Sequence, residues 1–376
     1  MTSLLEETLR ERADRLDVPQ PDIEAIVRAG DRRVARRRTT WLGGAVAAVA
    51  ATALVLPTLS DDARDTGSDR PTSRFAAAFA ANDPTYAVGR TVHVDGRTFQ
   101  LTEPVRAFVQ TDAGVVYADP DGVVRASDGE RETELGRLTF RRGDRALAAD
   151  GSLAAWVEAG ETPRLAVVDQ RTGEVTRTDL QPGSLSPEID IPARVAAVDD
   201  GAVYVQDDRG LSVWREGRFE IVLPGAEGRR MQLDDVQSGV LAWRDDSGSY
   251  RVGRRLSDPV TVRAYGIGTL SPDGSRLAVE VTDGDPGLFD TRTGRKLPEP
   301  DTGYAFQLVY GWVDADTYVA VGIPNVNERG TAPDGGWTMD LLTCSVPTSS
   351  CETAPTKLQP ASDGSAIPIG MDWSDG

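Results

Sequence analysis

A turn followed by an apolar strand recurs through most of this chain, and that recurrence constrains the fold more than any other feature. The turns centre on Gly114, Gly151, Gly201, Gly239, Gly274 and Asp316. Successive turns are 37, 50, 38, 35 and 42 residues apart. Each unit also offers further short strands, such as 164–169 and 211–214. Four short strands in about 40 residues are typical of one blade of a β-propeller.

One blade cannot bury both of its faces, so several must stack around an axis. The sequence contains six full units, an extra hairpin at 91–101 and an extra strand at 365–371. Pairing the two chain ends in one blade would remove open sheet edges. We therefore predict an all-β fold, a β-propeller of six to seven four-stranded blades, and we favour seven.

Two units carry a shared turn text. Residues 169–175 read DQRTGEV, residues 290–296 read DTRTGRK, and the second unit also contains LSPDGSRLAVEV at 270–281. These motifs resemble the WD40-like, or TolB-like, β-propeller repeat, over about 105–358. In that family Ser-Pro-Asp-Gly joins the first two strands of a blade, and Asp-x-x-Thr-Gly joins the last two. The resemblance implies a fold and a binding platform, but a fold does not fix a function.

The two cysteines occupy the same hairpin in a third unit. In an alignment of CSVPTSSC with VDQRTGEV, Cys344 matches Val168 and Cys351 matches Val175. Such positions face each other across a hairpin, with Cβ atoms about 4.5 to 5.5 Å apart. We predict a Cys344–Cys351 disulfide on this basis; the alternative is two free, buried thiols.

An uncharged segment at 41–59 is long enough to span a bilayer as a helix. Five arginines within 32–38 precede it, and acidic residues follow it, which places the amino terminus in the cytoplasm. We predict four regions: a basic, amphipathic, helical cytoplasmic tail (1–38), a transmembrane signal anchor (39–59), a flexible linker (60–85) and an extracytoplasmic propeller (86–376). This plan resembles actinobacterial single-pass membrane proteins. A cleaved export signal is the alternative for the apolar segment.

Charge and composition argue against several kinds of site. Residues 1–40 hold nine Arg against eight Asp and Glu, a net charge of +1, so the rest of the chain carries −19 and the whole chain −18. That acidity disfavours nucleic acid as a partner. His93 is the one histidine, and no Gly-x-Ser-x-Gly elbow accompanies it. We predict no catalytic residues, no metal ligands and no cofactor, and we interpret acidic turns such as 198–201 as hairpin turns rather than calcium loops.

One loop stands out as a candidate ligand site. Residues 322–336 lengthen the last full unit and lead to Trp337. Long loops on a rigid scaffold are where binding tends to reside. The candidates for a ligand loop are Asn325, Asn327, Arg329 and Trp337, with a plain surface loop as the alternative. Trp156 and Trp243 match between blades, which predicts core packing.

Three functional hypotheses follow. The first is a membrane-anchored binding module outside the cytoplasmic membrane, without catalysis, whose partner is a protein or a cell-envelope ligand. The second is a transmembrane regulator, anti-sigma-like, whose tail at 1–38 binds a transcription factor. The third is a glycan-active enzyme, which would require acids that converge on one face of the propeller.

Overall fold

The computed structural model describes residues 73–140, 145–160, 162–180, 193–245, 249–264, 266–282, 285–304, 306–324, 338–359 and 364–372. In this part of the chain, seven antiparallel β-sheets surround a central axis. The innermost strands of neighbouring sheets contact one another around that axis. The described chain is therefore a seven-bladed β-propeller, as the repeat predicts.

The first strands are β1 (Thr85–Val88), β2 (Thr91–Val94), β3 (Arg97–Gln100), β4 (Ala107–Thr111), β5 (Gly114–Ala118), β6 (Val123–Ser127), β7 (Glu132–Arg137), β8 (Leu147–Asp150), β9 (Leu153–Glu158), β10 (Arg164–Asp169), β11 (Glu174–Asp179), β12 (Arg194–Asp199), β13 (Ala202–Asp207) and β14 (Gly210–Arg215). The remaining strands are β15 (Arg218–Pro224), β16 (Gln232–Gln237), β17 (Val240–Arg244), β18 (Tyr250–Gly253), β19 (Val260–Val262), β20 (Thr269–Leu270), β21 (Arg276–Thr282), β22 (Asp285–Asp290), β23 (Phe306–Trp312), β24 (Thr317–Ile323), β25 (Met339–Ser345), β26 (Ser350–Leu358) and β27 (Ser365–Ala366). Two short helices are α1 (Ala76–Ala80) and α2 (Gly225–Arg230).

Six blades follow the chain in order, from the axis outward. They are blade 1 (β4–β7), blade 2 (β8–β11), blade 3 (β12–β15), blade 4 (β16–β19), blade 5 (β20–β22) and blade 6 (β23–β26). Blade 5 differs from the predicted four strands, because its described part has three and only a single bridge, Phe289 to Lys296, where a fourth would begin. Pro298 and Pro300 follow that bridge, and neither can donate a ladder hydrogen bond.

Blade 7 is built from both ends of the propeller. Its strand order is β27-β1-β2-β3, so the C-terminal strand is innermost. Ala366 lies opposite Ala87, and Ser365 lies opposite Val88. This arrangement confirms seven blades and the predicted closure by pairing of the chain ends.

The core consists of seven apolar clusters, and each combines side chains from two neighbouring blades. Trp156 is fully buried between blades 1 and 2. Trp243 has the same place between blades 3 and 4. The predicted core role of both indoles is confirmed, and apolar burial between flat faces is what holds one blade against the next.

The segment that enters the propeller packs beneath blade 7. The sequence predicts a linker over 60–85, yet the side chains of Phe75 and Phe79 are each only 1% exposed. The Ser73 hydroxyl donates to the carbonyl of Asp128 in blade 1, at 2.6 Å. The Asn82 amide donates to the carbonyl of Trp312 in blade 6, at 2.5 Å. Packed structure therefore begins ahead of the predicted boundary at 86, because two phenylalanines anchor this stretch.

The recurring hairpin between the last two strands has the turn chemistry that its sequence predicts. The Asp290 carboxylate accepts hydrogen bonds from the backbone N–H and the hydroxyl of Thr293, at 2.8 and 2.7 Å. Gly294 and Gly173 both adopt positive φ, +67° and +78°. Ser349 fills the equivalent position of the third copy and has a φ of +48°. That conformation is unfavourable for a residue with a Cβ atom.

Replacing Ser349 with glycine is expected to stabilise the protein by about 0.5–1 kcal/mol, because glycine adopts positive φ without the Cβ penalty. Chemical denaturation monitored by tryptophan fluorescence measures the change. Gly173→Ala, at the matching turn of blade 2, is the control and should destabilise. A Ser349→Gly protein that is no more stable than the parent would contradict this account of the turn.

Among the described residues, no helix has the length and apolar character that a bilayer crossing requires. The predicted span at 41–59 and the predicted tail at 1–38 lie outside the described residues.

Candidate functional site

The propeller has two faces, which we name by their connections. The turn face carries the turns from first to second strand and from third to fourth strand of each blade. The loop face carries the turns from second to third strand and the connections between blades. The predicted ligand-loop residues Asn325, Asn327, Arg329 and Trp337 lie outside the described residues, so that hypothesis stays a prediction.

The predicted disulfide is confirmed. Cys344 on β25 and Cys351 on β26 are bonded to each other and are directly opposed in the ladder. The equivalent pair Val168 and Val175 is also directly opposed. The alignment of the hairpins therefore identified the partners correctly, and Cys344 is buried in the apolar cluster between blades 5 and 6.

Acidic residues at the ends of the innermost strands link blades on the turn face. The Asp150 carboxylate in blade 2 accepts the backbone N–H of Asp200 in blade 3, at 3.1 Å. The Asp199 carboxylate in blade 3 accepts the N–H groups of Ser238 and Gly239 in blade 4, at 2.9 and 3.0 Å. These turns thus have an added role, because they fix neighbouring blades against each other.

Arg145 crosses the central channel. Its guanidinium donates to the carbonyls of Ala196 in blade 3 and Asp234 in blade 4, at 3.0 and 2.8 Å. Nearby, the buried carboxylate of Asp235 accepts the N–H of Leu270 in blade 5, at 2.8 Å. Burial raises the pKa of Asp235, and the positive charge of Arg145 opposes that shift. Two charged side chains therefore bond backbone groups on the innermost strands of blades 3, 4 and 5.

The end of the described chain, residues 367–372, forms what we call the C-terminal strap. The N–H of Gly370 donates to the carbonyl of Phe108 in blade 1, at 2.8 Å. Its carbonyl accepts the N–H of Leu147 in blade 2, at 3.1 Å. Asp372 then accepts a hydrogen bond from Arg106, at 2.7 Å. The strap lies beside Arg145 at the loop-face end of the channel. Its hydrogen bonds to blades 1 and 2 join the C-terminal end of blade 7 to the start of the ring.

An acid–arginine ion pair also recurs from blade to blade, and it is not among the sequence predictions. An acid at the end of the second strand pairs with an arginine six residues later, across the hairpin on the loop face. The pairs are Asp119–Arg125, Glu158–Arg164 and Asp245–Arg251. The constant spacing was readable in the sequence, but only alignment of the hairpins between second and third strands would have shown it. The acids of the first two pairs are buried and the third is partly exposed, and each pair fixes the two strands of its hairpin against each other.

The candidate functional site is a cleft on the turn face between blades 2 and 3. Its volume is about 510 Å³, which is within the range of about 300–1,000 Å³ that is usual for small-ligand sites. The residues that line it are Leu153, Val167, Asp169, Glu174, Thr176, Asp200, Gly201, Trp214, Arg215 and Glu216. Blade 2 supplies the first five, and blade 3 supplies the others.

The inner wall of the cleft is apolar and held in place. Trp214 is 6% exposed and packs in the cluster between blades 2 and 3, together with Val167. Its indole N–H donates to the Thr178 hydroxyl of blade 2, at 3.0 Å, which fixes the orientation of the ring. Leu153 packs against the same cluster. Core packing is what the repeat pattern predicts for Trp156 and Trp243, and no sequence signal marks Trp214 as the border of a cleft.

The outer part of the cleft is acidic. Asp169, Glu174, Asp200 and Glu216 contribute four carboxylates, and Arg215 contributes one guanidinium. The Arg215 guanidinium donates to the backbone carbonyl of Asp200, at 3.1 Å. The polar lining thus consists of these acids, the arginine and Thr176.

His93 lies far from this cleft, on β2 of blade 7. Its imidazole stacks on the ring of Tyr86, with centroids 4.3 Å apart and an angle of 9° between the planes. Burial lowers the pKa of His93 below the ordinary value of 6.5. It is a half-buried strand residue, as the sequence predicts.

We expect an NMR titration of His93 to give a pKa below 6.5. Because the folded pKa is depressed, the neutral ring favours the folded state. Its contribution to stability is complete above pH 6.5 and is lost as the pH falls through the folded pKa. The chain has one histidine, so its imidazole signals need no assignment. A pKa at or above 6.5 would show that the ring is not desolvated.

Within the part of the chain that the structure describes, no three His, Cys, Asp or Glu side chains are grouped as metal ligands. The described acidic turns use their carboxylates differently. The Asp119 carboxylate accepts the N–H groups of Asp121 and Val123, both at 2.9 Å, and also pairs with Arg125. The pKa of Asp119 is lowered, because these hydrogen bonds outweigh its burial.

Neither a family model nor a curated protein matches the sequence. Solved structures with a similar fold include the computationally designed Ika8 protein, at 17% identity and a TM-score of 0.46, over 72% of this chain and 82% of that chain. TolB from Acinetobacter baumannii matches at 12% identity and 0.37, over 56% and 61%. The RRP9 WD40 repeats match at 12% and 0.44, over 74% and 85%. The class of this protein, a seven-bladed β-propeller, rests on its own strand topology.

Proposed function

We propose that this protein is a single-pass membrane protein with a cytoplasmic amino terminus, and that its extracytoplasmic propeller binds a protein or cell-envelope ligand. The observation that carries the binding role is the preformed cleft between blades 2 and 3. Its walls belong to blades that are linked by the hydrogen bond from Asp200 to Asp150. A site that is already rigid pays little entropy to order itself on binding.

The location is supported by three independent features. The uncharged segment at 41–59 is preceded by arginines and followed by acids. The Cys344–Cys351 disulfide is typical of an oxidising compartment. The excess of acid beyond residue 40 suits a domain that does not bind anionic lipid or nucleic acid.

Epitope tags at the two ends test the topology. Protease added to intact spheroplasts should remove a C-terminal tag and spare an N-terminal tag. Both tags should disappear when the membrane is permeabilised. Protection of the C-terminal tag in intact cells would overturn the extracytoplasmic placement, and loss of the N-terminal region from mature protein would favour a cleaved signal.

Photo-crosslinking tests the binding role. A photoreactive amino acid at position 216 in the full chain should form a discrete adduct in native membranes. The control is position 221, where Ile221 is 47% exposed on the outer strand of the same blade. Equal adducts at both positions would indicate nonspecific contact, and the absence of an adduct at any turn-face position would contradict a binding module.

A further inference from the structure

We infer that the cleft between blades 2 and 3 receives an arginine or lysine side chain from an extended basic segment of the partner. This inference rests on the proposed binding function and specifies the chemistry of the ligand.

The apolar wall of the cleft suits the stem of such a side chain. Leu153, Val167 and Trp214 form that wall, and the volume of about 510 Å³ exceeds what one side chain needs. Arginine and lysine bury their methylene groups on apolar surface while the charged head stays among polar groups.

The charges of the cleft select a cation. Four acidic residues and one arginine line the cleft, and the guanidinium of that arginine donates to the carbonyl of Asp200. Glu174 projects from blade 2 and Glu216 from blade 3, and neither has a side-chain partner among the described residues. A cation between them would be attracted by both blades, whereas an anion would be repelled.

The occupant must also be extended and organic. The acids of the cleft are not grouped as metal ligands in the described part of the chain, and an apolar wall offers nothing to a bare ion. A peptide places a cation at the end of a long stem and leaves its backbone at the mouth of the cleft. The remaining volume would accommodate the residues that flank the basic one.

Calorimetric titration tests the inference on the full chain in detergent micelles. The probe is a capped Gly-Gly-Arg-Gly-Gly peptide, and the matched control peptide carries citrulline, which is neutral and nearly isosteric. We expect the arginine peptide to bind and the citrulline peptide to bind at least about tenfold more weakly. The difference should shrink as ionic strength rises, because exposed carboxylates are screened.

Matched protein variants locate the binding. Glu174→Gln with Glu216→Gln removes two carboxylates from the cleft and should weaken the arginine peptide roughly tenfold, since each exposed ionic contact accounts for a factor of a few. Glu220→Gln with Glu352→Gln removes the same charge from exposed strand positions outside the cleft and should leave affinity unchanged. Denaturation curves of the parent and the two double variants confirm that folding is unaffected.

Three results would overturn the inference: equal binding of both peptides, no binding of either, or equal weakening by the two pairs of substitutions. None of these results would by itself contradict the proposed function, because crosslinking at the turn face tests separately whether the propeller binds a partner. A turn-face adduct with no arginine selectivity would retain the binding module and reject the basic ligand. The binding function and the basic ligand would both be supported by an adduct at position 216 whose crosslinked peptide is centred on a basic residue. That adduct should be lost in Glu174→Gln.

Discussion

A chain that ends at residue 363 is expected to lose the cooperative folding of the propeller. Its missing part includes β27, the innermost strand of blade 7, so β1 would expose an unpaired edge at the axis. The apolar faces of blades 6 and 7 would also lose Ala366 and Ile367. An open ring with a free edge is prone to aggregate.

Two longer chains separate the contribution of β27 from that of the C-terminal strap. A chain that ends at Asp372 keeps every described contact and serves as the control. A chain that ends at Ile367 keeps β27 but loses most of the C-terminal strap, including the hydrogen bonds of Gly370 to blades 1 and 2 and the pair of Asp372 with Arg106. We expect the second chain to fold with a stability lower by about 2–4 kcal/mol, from several lost hydrogen bonds and one partly buried ion pair.

Denaturant unfolding and size-exclusion chromatography measure these outcomes. The full chain and the chain ending at Asp372 should give coincident transitions. A sharp, reversible transition for the chain ending at residue 363 would show that blade 7 does not need its C-terminal strand. Unchanged stability of the chain ending at Ile367 would show that the strap adds nothing to closure.

Much of this fold was predictable because its signals are local and repeat. Turn glycines recur at blade spacing, and the Asp-x-x-Thr-Gly hairpin can be aligned with the cysteine hairpin without any structure. The alignment works because one ladder register places Val168 opposite Val175 and Cys344 opposite Cys351. The extra hairpin and the extra C-terminal strand could build a seventh blade or complete a six-bladed ring, and the pairing of β27 with β1 shows that they build the seventh.

The cleft was not predictable, because its parts are unremarkable where they stand. Glu174 begins β11 and Glu216 directly follows β14, so both look like ordinary hairpin residues. They become neighbours of one cleft only after blades 2 and 3 are set side by side. The sequence instead points to the long loop with Asn325 and Trp337, because the length of an insertion can be read from a sequence. The space between two blades cannot.

The start of the packed structure was misplaced for a related reason. The run around Phe75 and Phe79 is rich in alanine and follows a polar stretch, so it reads as the end of a linker. Its anchoring bonds to Asp128 and Trp312 join residues that are 55 and 230 positions apart. Contacts at such separations leave no periodic trace in the sequence.

Of the three functional hypotheses, the described residues bear most directly on the first. The regulator hypothesis concerns the tail at 1–38, which lies outside the described residues, and it stays a prediction. The enzyme hypothesis requires converging acids that work on a substrate. Four acidic residues do line one cleft on the turn face, beside an apolar wall. That arrangement is the basis of the binding proposal, and the enzyme hypothesis stays a prediction.

Replacing Arg145 with leucine is expected to destabilise the propeller by about 1–3 kcal/mol, since it leaves two backbone acceptors without a hydrogen-bond donor. The substitution leaves the carbonyls of Ala196 and Asp234 without their donor. It also leaves the Asp235 carboxylate without the nearby positive charge. Arg131→Leu is the control, because the pair of Arg131 with Asp128 is exposed and should account for less than about 1 kcal/mol.

The pH dependence of this loss identifies its cause. The pKa of Asp235 is already raised by burial, and removal of Arg145 raises it further. A carboxyl whose folded pKa lies above its unfolded value of 3.8 binds protons more tightly when folded, so stability falls as the pH rises through that window. The deficit of Arg145→Leu should therefore grow with rising pH, and Asp235→Asn in the same chain should remove that growth. A deficit that is equal at all pH values would assign the role of Arg145 to its carbonyl contacts alone, and a deficit no larger than that of Arg131→Leu would show that the channel network does not hold the ring together.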